Sequence, residues 1–169
     1  MRIRSFSPAD LPSVLEIYAL SKLDELANEP VIPPLIPLDL DERRYSAFKA
    51  STVYVCEGPA LLGYGARRGA EITGLFVHPA GRGKGVGRAL LEHLIARYAG
   101  PSCLHVAASN RVAVSLYRSY GFEPHGTYTA HYNGQPVAAA IMVQPEGAYT
   151  NAAMAPNSSS KPTPLPGAA

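Results

Sequence analysis

A loop of alternating glycines and basic residues carries the clearest chemistry in the sequence. It follows an apolar run typical of a strand and precedes a periodic run typical of a helix. Its residues are Arg82, Gly83, Lys84, Gly85, Val86, Gly87 and Arg88. A helix N-terminus presents free N–H groups and a partial positive charge, and glycine lets a pyrophosphate approach the backbone. The loop therefore predicts a phosphate site, with a glycine-rich turn that holds no ligand as the alternative.

Two common nucleotide-binding motifs do not fit this loop. A Walker A motif needs glycine at the position of His78 and Ser or Thr at the position of Gly85. A Rossmann fingerprint counted from Gly83 places Arg88 where its third glycine belongs. It also needs an acid after the next strand, where the chain has residues 108–110, Ala-Ser-Asn. Both motifs are therefore excluded.

A second pattern lies downstream of the loop. It reads Asn110-x-x-Ala113-x-x-Leu116-Tyr117-x-x-x-Gly121-Phe122. Asn110 is a typical N-cap and Gly121 a typical C-terminal stop, so the pattern predicts a helix. This pattern and Arg82-x-x-Gly85-x-Gly87 both resemble signatures of the GNAT superfamily of N-acetyltransferases, and the resemblance extends from about Ile3 to Val143.

The resemblance implies acetyl-CoA as cosubstrate. In that family the pyrophosphate lies on the loop that corresponds to residues 82–88, and the pantetheine arm pairs with the strand backbone at Leu75, Phe76 and Val77. A backbone N–H near Leu75 would face the thioester oxygen. Asn110 would contact the CoA arm in addition to capping its helix.

Tyr117 occupies the position of the family's general acid, which protonates the departing CoA thiolate. A phenol with a pKa near 10 and a thiol with a pKa of about 8.5 can exchange a proton without a large barrier. The alternative is a core tyrosine that packs beside Leu116 and Tyr120. The resemblance favours the catalytic role.

Glu71 matches the catalytic glutamate of the family's histone-acetylating members, which makes it a candidate general base. Strand alternation would place Glu71, Thr73, Leu75 and Val77 on one face. A solvated acid at the strand end, paired with Arg67 or Arg68, is the alternative.

Three further side chains are weaker candidates for proton transfer or substrate contact. His78 follows the strand and is expected at the surface, whereas Tyr128 and His131 lie in the last hairpin. The cysteines, Cys56 and Cys103, read as core residues, because no CxxC or Cys/His spacing predicts a disulfide or a metal site.

The acceptor would lie between the first two helices and the final hairpin, by the same resemblance. Asp24 and Glu25 precede a proline-rich stretch, residues 30–37, in this region. Acids near a stiff apolar loop suit a cationic amine, while solvated surface acids are the other interpretation. A small-molecule amine and a peptide amine are both allowed.

The element order predicted from periodicity is β-α-α-β-β-β-α-β-α-β-β. Asp10, favoured over Ser7, would cap the first helix, and the apolar stripe of that helix reaches Leu26. The pair Asn133-Gly134 predicts the turn of the last hairpin. We expect an α/β (α+β) fold of GNAT type, with a mixed, mainly antiparallel sheet of six to seven strands flanked by about four helices. Residues 1–146 would form this domain, followed by a disordered tail, 147–169.

Composition and charge exclude several classes of protein. The chain has 169 residues and a formal net charge of +2, too little for a nucleic-acid-binding surface. The N-terminus lacks the apolar stretch of a signal peptide, and no run reaches the roughly 20 apolar residues of a membrane span. We therefore expect a cytoplasmic monomer or homodimer without nucleic-acid or membrane partners.

These observations predict an N-acetyltransferase that moves the acetyl group of acetyl-CoA directly to a primary amine of a small molecule or peptide. A non-catalytic domain that senses acyl-CoA is one alternative. A phosphate- or nucleotide-binding regulator that uses the same loop is the other.

Overall fold

Seven strands form one sheet in the computed structural model, which describes residues 1–147. The strands are β1 (Arg2–Ser5), β2 (Thr52–Glu57), β3 (Leu61–Arg68), β4 (Glu71–Val77), β5 (Ser102–Ala107), β6 (Glu123–Tyr132) and β7 (Gln135–Gln144). The helices are α1 (Leu11–Ser21), α2 (Glu42–Lys49), α3 (Val86–Ile95) and α4 (Arg111–Ser119). None of the helices within residues 1–147 is long and apolar enough to cross a bilayer.

The order of strands in the sheet is β1-β2-β3-β4-β5-β7-β6. Every neighbouring pair is antiparallel except β4 and β5, which are parallel. The chain crosses from β4 to β5 through α3, as a parallel connection requires. The predicted mixed, mainly antiparallel sheet with four helices is confirmed.

Apolar clusters on opposite faces of the sheet hold the helices in place. On one face, α1 contributes Val14, Ile17 and Tyr18, which pack with Tyr64 of β3. On the other face, the side chains that pack together come from α3, α4 and the strands beneath them. They are Ile72, Leu91, Leu94, Leu104, Val106, Tyr117, Tyr120, Phe122 and Met142. Each fully buried large apolar side chain contributes about 1.5–3 kcal/mol, so both helical layers are anchored.

The parallel strands β4 and β5 pair only where they begin. Glu71 lies opposite Cys103 and Ile72 opposite Leu104, and the paired register ends there. On the side that faces β5, the next residues of β4, Thr73–Val77, border a cavity instead of that strand. Backbone groups of β4 that β5 leaves unpaired can therefore bind an extended ligand.

A β-bulge at Thr73 changes which side chains of β4 share a face. Arg67 of β3 pairs with Ile72 and Ala66 pairs with Gly74, so Thr73 is the additional residue. Beyond the bulge, Leu75 contacts the cluster beneath α3, as Ile72 does before it. The alternation expected from the sequence is therefore wrong for Glu71, which does not share a face with Leu75, whereas Leu75 and Val77 share a face as expected.

Several local predictions are confirmed and others need correction. Asn133 and Gly134 have φ of 51° and 85°, as the predicted hairpin turn requires. Ser7, rather than Asp10, accepts the capping hydrogen bond of the first helical turn. Helix α1 ends at Ser21, and a 3-10 turn, Lys22–Leu26, continues the chain. The predicted tail from residue 148 onward lies outside the described residues.

Candidate active site

One cavity of about 1160 Å³ runs through the gap between β4 and β5. Its first end is the glycine loop, Arg82–Gly87, and its second end lies among the 3-10 turn, α2 and β6. We refer to these as the loop end and the inner end. The cavity therefore joins the predicted phosphate site to the region where the acceptor is expected.

The loop end has the geometry of an anion site. Gly83 and Gly85 have φ of 70° and 79°, a region that favours glycine, and Gly85 is the N-cap of α3. Gly85 has no side chain to cap the helix, so the first N–H groups of α3 point outward. A Cβ at either glycine would meet no atom within 4 Å, which leaves space for a ligand. The loop thus fits a pyrophosphate.

Most of the residues predicted to bind the cofactor line this one cavity. They are Leu75, Phe76, Val77, Arg82, Gly83, Gly85, Val86, Gly87, Arg88 and Asn110. The cavity lining does not include Lys84. The Oδ1 atom of Asn110 accepts a hydrogen bond from the N–H of Ala113 at 3.2 Å, so its capping role is confirmed.

Arg82 connects the loop end to the 3-10 turn. Its Nη2 donates to Oδ2 of Asp24 at 2.5 Å and to the backbone oxygen of Leu20 at 3.4 Å. Asp24, which the sequence suggested for an amine, is thereby paired with a cation of the protein. Arg82 consequently bridges the two sides of the cavity.

Tyr117 is buried on α4 and lines the middle of the cavity. Its ring contacts Phe122 with centroids 5.9 Å apart. Burial raises the pKa of Tyr117, and the nearby carboxylate of Glu25 raises it further. The phenol therefore stays protonated at neutral pH and has a proton to donate.

Glu71 does not lie among the residues that line the cavity. Its carboxylate pairs with Arg68 at 3.2 Å. Glu71 pairs with Arg68 of β3, and Leu75 pairs with Gly65. Because Arg68 and Gly65 are three residues apart on β3, they lie on opposite faces, and the bulge therefore places Glu71 and Leu75 on opposite faces too. The expectation that Glu71 faces the thioester side is wrong.

The other weak candidates divide between the cavity and the surface. His78 accepts a hydrogen bond from the N–H of Ala80 at 3.0 Å and does not line the cavity. Tyr128 and His131 do line it, and the Tyr128 hydroxyl contacts Nδ1 of His105 at 3.0 Å. His105 was not singled out from the sequence.

A buried lysine and a carboxylate form the centre of the inner end. Lys22 is only 9% exposed and forms an ion pair with Glu25. Its Nζ lies 5.0 Å from the ring centre of Tyr132 and 5.8 Å from that of Phe76. Burial lowers the pKa of Lys22, and Glu25 opposes this shift.

Arg44 of α2 lies beside this pair. Its Nη1 donates to Oδ2 of Asp41 at 2.5 Å, and its Cζ lies 5.4 Å from the ring centre of Tyr132. The Tyr18 hydroxyl is buried, and burial raises the pKa of Tyr18 to about 12. The positive charge of Arg44 lowers the pKa of Tyr18 and so opposes the effect of burial. Arg44 forms no hydrogen bond of normal geometry with the Tyr18 hydroxyl.

Sequence reasoning did not single out Lys22 or Arg44. Each belongs to a short helical segment where a charged residue is ordinary. Only the packing of α1 and α2 against β4 brings them to one cavity. No local signal could have found them.

Comparisons with known proteins agree with this architecture. A family model, the acetyltransferase (GNAT) domain, matches residues 49–124. An L-methionine sulfoximine/L-methionine sulfone acetyltransferase of Pseudomonas aeruginosa is 32% identical over 144 residues, which cover 73% of this chain and 81% of that protein. A protein of Salmonella typhimurium whose solved structure contains its cofactor acetyl-CoA is 25% identical, with a TM-score of 0.64, and the match covers 90% of this chain and 98% of that one.

The chain belongs to the GNAT family of acetyltransferases. It is also 34% identical over 138 residues to the mycothiol acetyltransferase of Streptomyces avermitilis, a match that covers 74% of this chain. It spans 44% of the length of that relative and 26% of the length of one from Mycobacterium leprae.

Proposed function

We propose that this chain is an N-acetyltransferase that moves the acetyl group of acetyl-CoA directly to a primary amine. One observation carries the proposal, namely that a single cavity joins the anion-binding loop, the open backbone of β4 and the buried phenol of Tyr117. Acetyl-CoA supplies an activated thioester when bound. The names of the two acetyltransferase relatives give different substrates, so neither substrate is assigned to this chain.

The residues that would hold the cofactor are those that line the loop end. The N–H groups at the start of α3 bind the pyrophosphate, and Arg88 adds positive charge there. The backbone of Leu75 and Val77 borders the arm that carries the thioester, with Asn110 on the other side of the cavity. Lys84, which does not line the cavity, would add positive charge beside it.

Tyr117 acts as the general acid. As the amine nitrogen bonds to the acetyl carbon, the C–S bond breaks and its electron pair leaves on sulfur. The Tyr117 hydroxyl delivers a proton to that sulfur. A thiolate formed in this buried cleft also has a raised pKa, which favours the transfer.

Glu25 replaces Glu71 as our candidate for the general base. Its carboxylate lines the inner end of the cavity and acts electrostatically on Tyr117, so it lies close to the acid. It receives the proton that the attacking ammonium group loses. Pairing with Lys22 holds the carboxylate in position.

The test is thiol release from acetyl-CoA with a panel of amino acids, alkylamines, polyamines, aminoglycosides and peptides. We expect turnover with at least one class, together with CoA binding that ATP and NAD do not match. Acetyl-CoA binding without any turnover would indicate the sensing domain instead. Preferential binding of ATP or NAD would contradict the whole assignment.

A further inference from the structure

The inner end of the cavity has the wrong charge for a polycationic acceptor. Lys22, Arg43 and Arg44 line it, together with the carboxylates of Glu25 and Asp24, and Asp24 is paired with Arg82. Lys22 is matched by Glu25 and Arg44 by Asp41. Arg43 forms no ion pair with any residue in 1–147, so this end keeps a surplus of positive charge. A second ammonium group on the acceptor would be repelled here.

Hydrogen-bond donors remain available at the same place. The ion pair of Arg44 engages Nη1, and a guanidinium carries five N–H donors in a fork that matches a carboxylate. The Tyr18 hydroxyl is a further donor; it is buried and forms no hydrogen bond of normal geometry among the described residues, although Arg44 lies close enough to lower its pKa. Tyr18 is only 2% exposed, and a buried hydroxyl with no partner is costly unless a ligand satisfies it.

A second cavity of about 130 Å³ lies next to these donors. It shares Lys22, Arg44, Thr73, Gly74 and Phe76 with the main cavity, so the two cations stand at the boundary between them. Its remaining wall is largely apolar and includes Leu38, Ala47, Phe48, Tyr64 and Ala66. A cavity of about 150 Å³ holds a benzene-sized group, so this one suits a compact apolar side chain.

We propose, on the basis of the function proposed above, that the amine acceptor is a free α-amino acid. Its carboxylate binds Arg44, Lys22 and the Tyr18 hydroxyl, and its apolar side chain enters the small cavity. Its amino group then points toward Glu25 and Tyr117. The carboxylate, the side chain and the amino group of the acceptor surround one carbon atom, so the site also discriminates between enantiomers.

The test compares acceptors that differ only in the carboxylate. L-leucine, L-methionine and L-phenylalanine are each assayed beside the corresponding amide and the corresponding decarboxylated amine. We expect kcat/KM to fall about ten- to hundredfold when the carboxylate is lost, as for other hydrogen bonds to charged groups. Equal or better turnover of the amides, the amines or spermidine overturns the inference and leaves the transferase assignment intact.

Arg44→Gln tests whether the preference resides in this site. We expect its KM for the amino acids to rise about tenfold or more while its KM for the decarboxylated amines and its affinity for acetyl-CoA stay unchanged. Arg118→Gln, at an exposed position outside both cavities, is the matched control. A variant that had merely lost its structure would lose activity with every acceptor and would not show this selective rise in KM for the amino acids. A preference for amino acids that survives Arg44→Gln overturns the proposed contact.

Calorimetric titration of the protein with the same amino acids, in the presence of CoA, separates the two proposals. Binding that depends on Arg44 without any thiol release supports the amino-acid site and contradicts the transferase. If none of the amino acids binds or reacts, the inference is wrong. Turnover of other amines would then still support the transferase.

Discussion

The two ends of the cavity are built in different ways. The loop end consists mainly of backbone N–H groups on one contiguous segment, Arg82–Gly87, at the start of α3. The inner end consists of side chains from separate segments, with Lys22 and Glu25 on a 3-10 turn, Arg44 on α2 and Tyr132 on β6. Local glycine spacing determines the first end, whereas the whole fold determines the second.

This difference has a functional consequence. Substitutions at the inner end can change the acceptor without disturbing the backbone that would hold the cofactor. The two ends meet at Tyr117, which lies between them, and at the ion pair of Arg82 with Asp24. The predictions below test how independent the two ends are.

Tyr117→Phe should have the largest effect, because it removes the acid on which both ends converge. We expect kcat to fall about a hundredfold or more, with acetyl-CoA affinity unchanged. Tyr120→Phe, one turn away and also buried, is the matched control and should keep most of the activity. Comparable kcat values for the two variants across the pH range would remove the acid role.

Glu25→Gln should lower turnover about tenfold or more at neutral pH. The deficit should shrink as the pH rises above the pKa of the acceptor ammonium, since the free amine needs no base. Glu71→Gln, paired with Arg68 outside the cavity, should change turnover less than twofold. A larger loss for Glu71→Gln than for Glu25→Gln would reverse our assignment of the base.

Gly85→Ala should act on the loop end alone. Its positive φ strains any Cβ, and the new methyl group enters the space left for the ligand. We expect acetyl-CoA to bind about tenfold more weakly, with the acceptor KM unchanged. Gly69→Ala, at φ of 56° in the turn between β3 and β4, carries similar strain far from the loop. Both variants should lose about 1 kcal/mol of the free energy of unfolding, and only Gly85→Ala should lose affinity.

Asp10→Asn should lower the stability of the fold and leave both ends of the cavity unchanged. Asp10 accepts hydrogen bonds from Arg4 at 2.7 and 2.9 Å, and these lower its pKa. A lowered carboxyl pKa stabilises the fold above the unfolded value of about 3.9, and this contribution is lost as the pH falls through the folded pKa. Chemical denaturation should therefore show a deficit of about 1 kcal/mol at pH 7 that shrinks below about pH 4. A change in either KM would show that the ends are less isolated than we propose.

Much of the fold could be predicted from local patterns. The hairpin at Asn133-Gly134, the cap at Asn110 and the strand-loop-helix around Gly85 each depend on a few adjacent residues. The bulge at Thr73 could not be predicted, because it is defined by the pairing of β4 with β3. That single additional residue reverses the face on which Glu71 lies.

The sequence by itself indicated the family, because its two patterns resemble the family's signatures, and it determined the loop end and the helix that carries Tyr117. The loop and the helix rest on glycine spacing, capping residues and helical periodicity, all of which act over a few residues. Only the tertiary structure decided the inner end, where Lys22, Glu25 and Arg44 meet across the cleft between β4 and β5. Side chains that are distant in sequence come together through packing, and no local rule encodes that meeting.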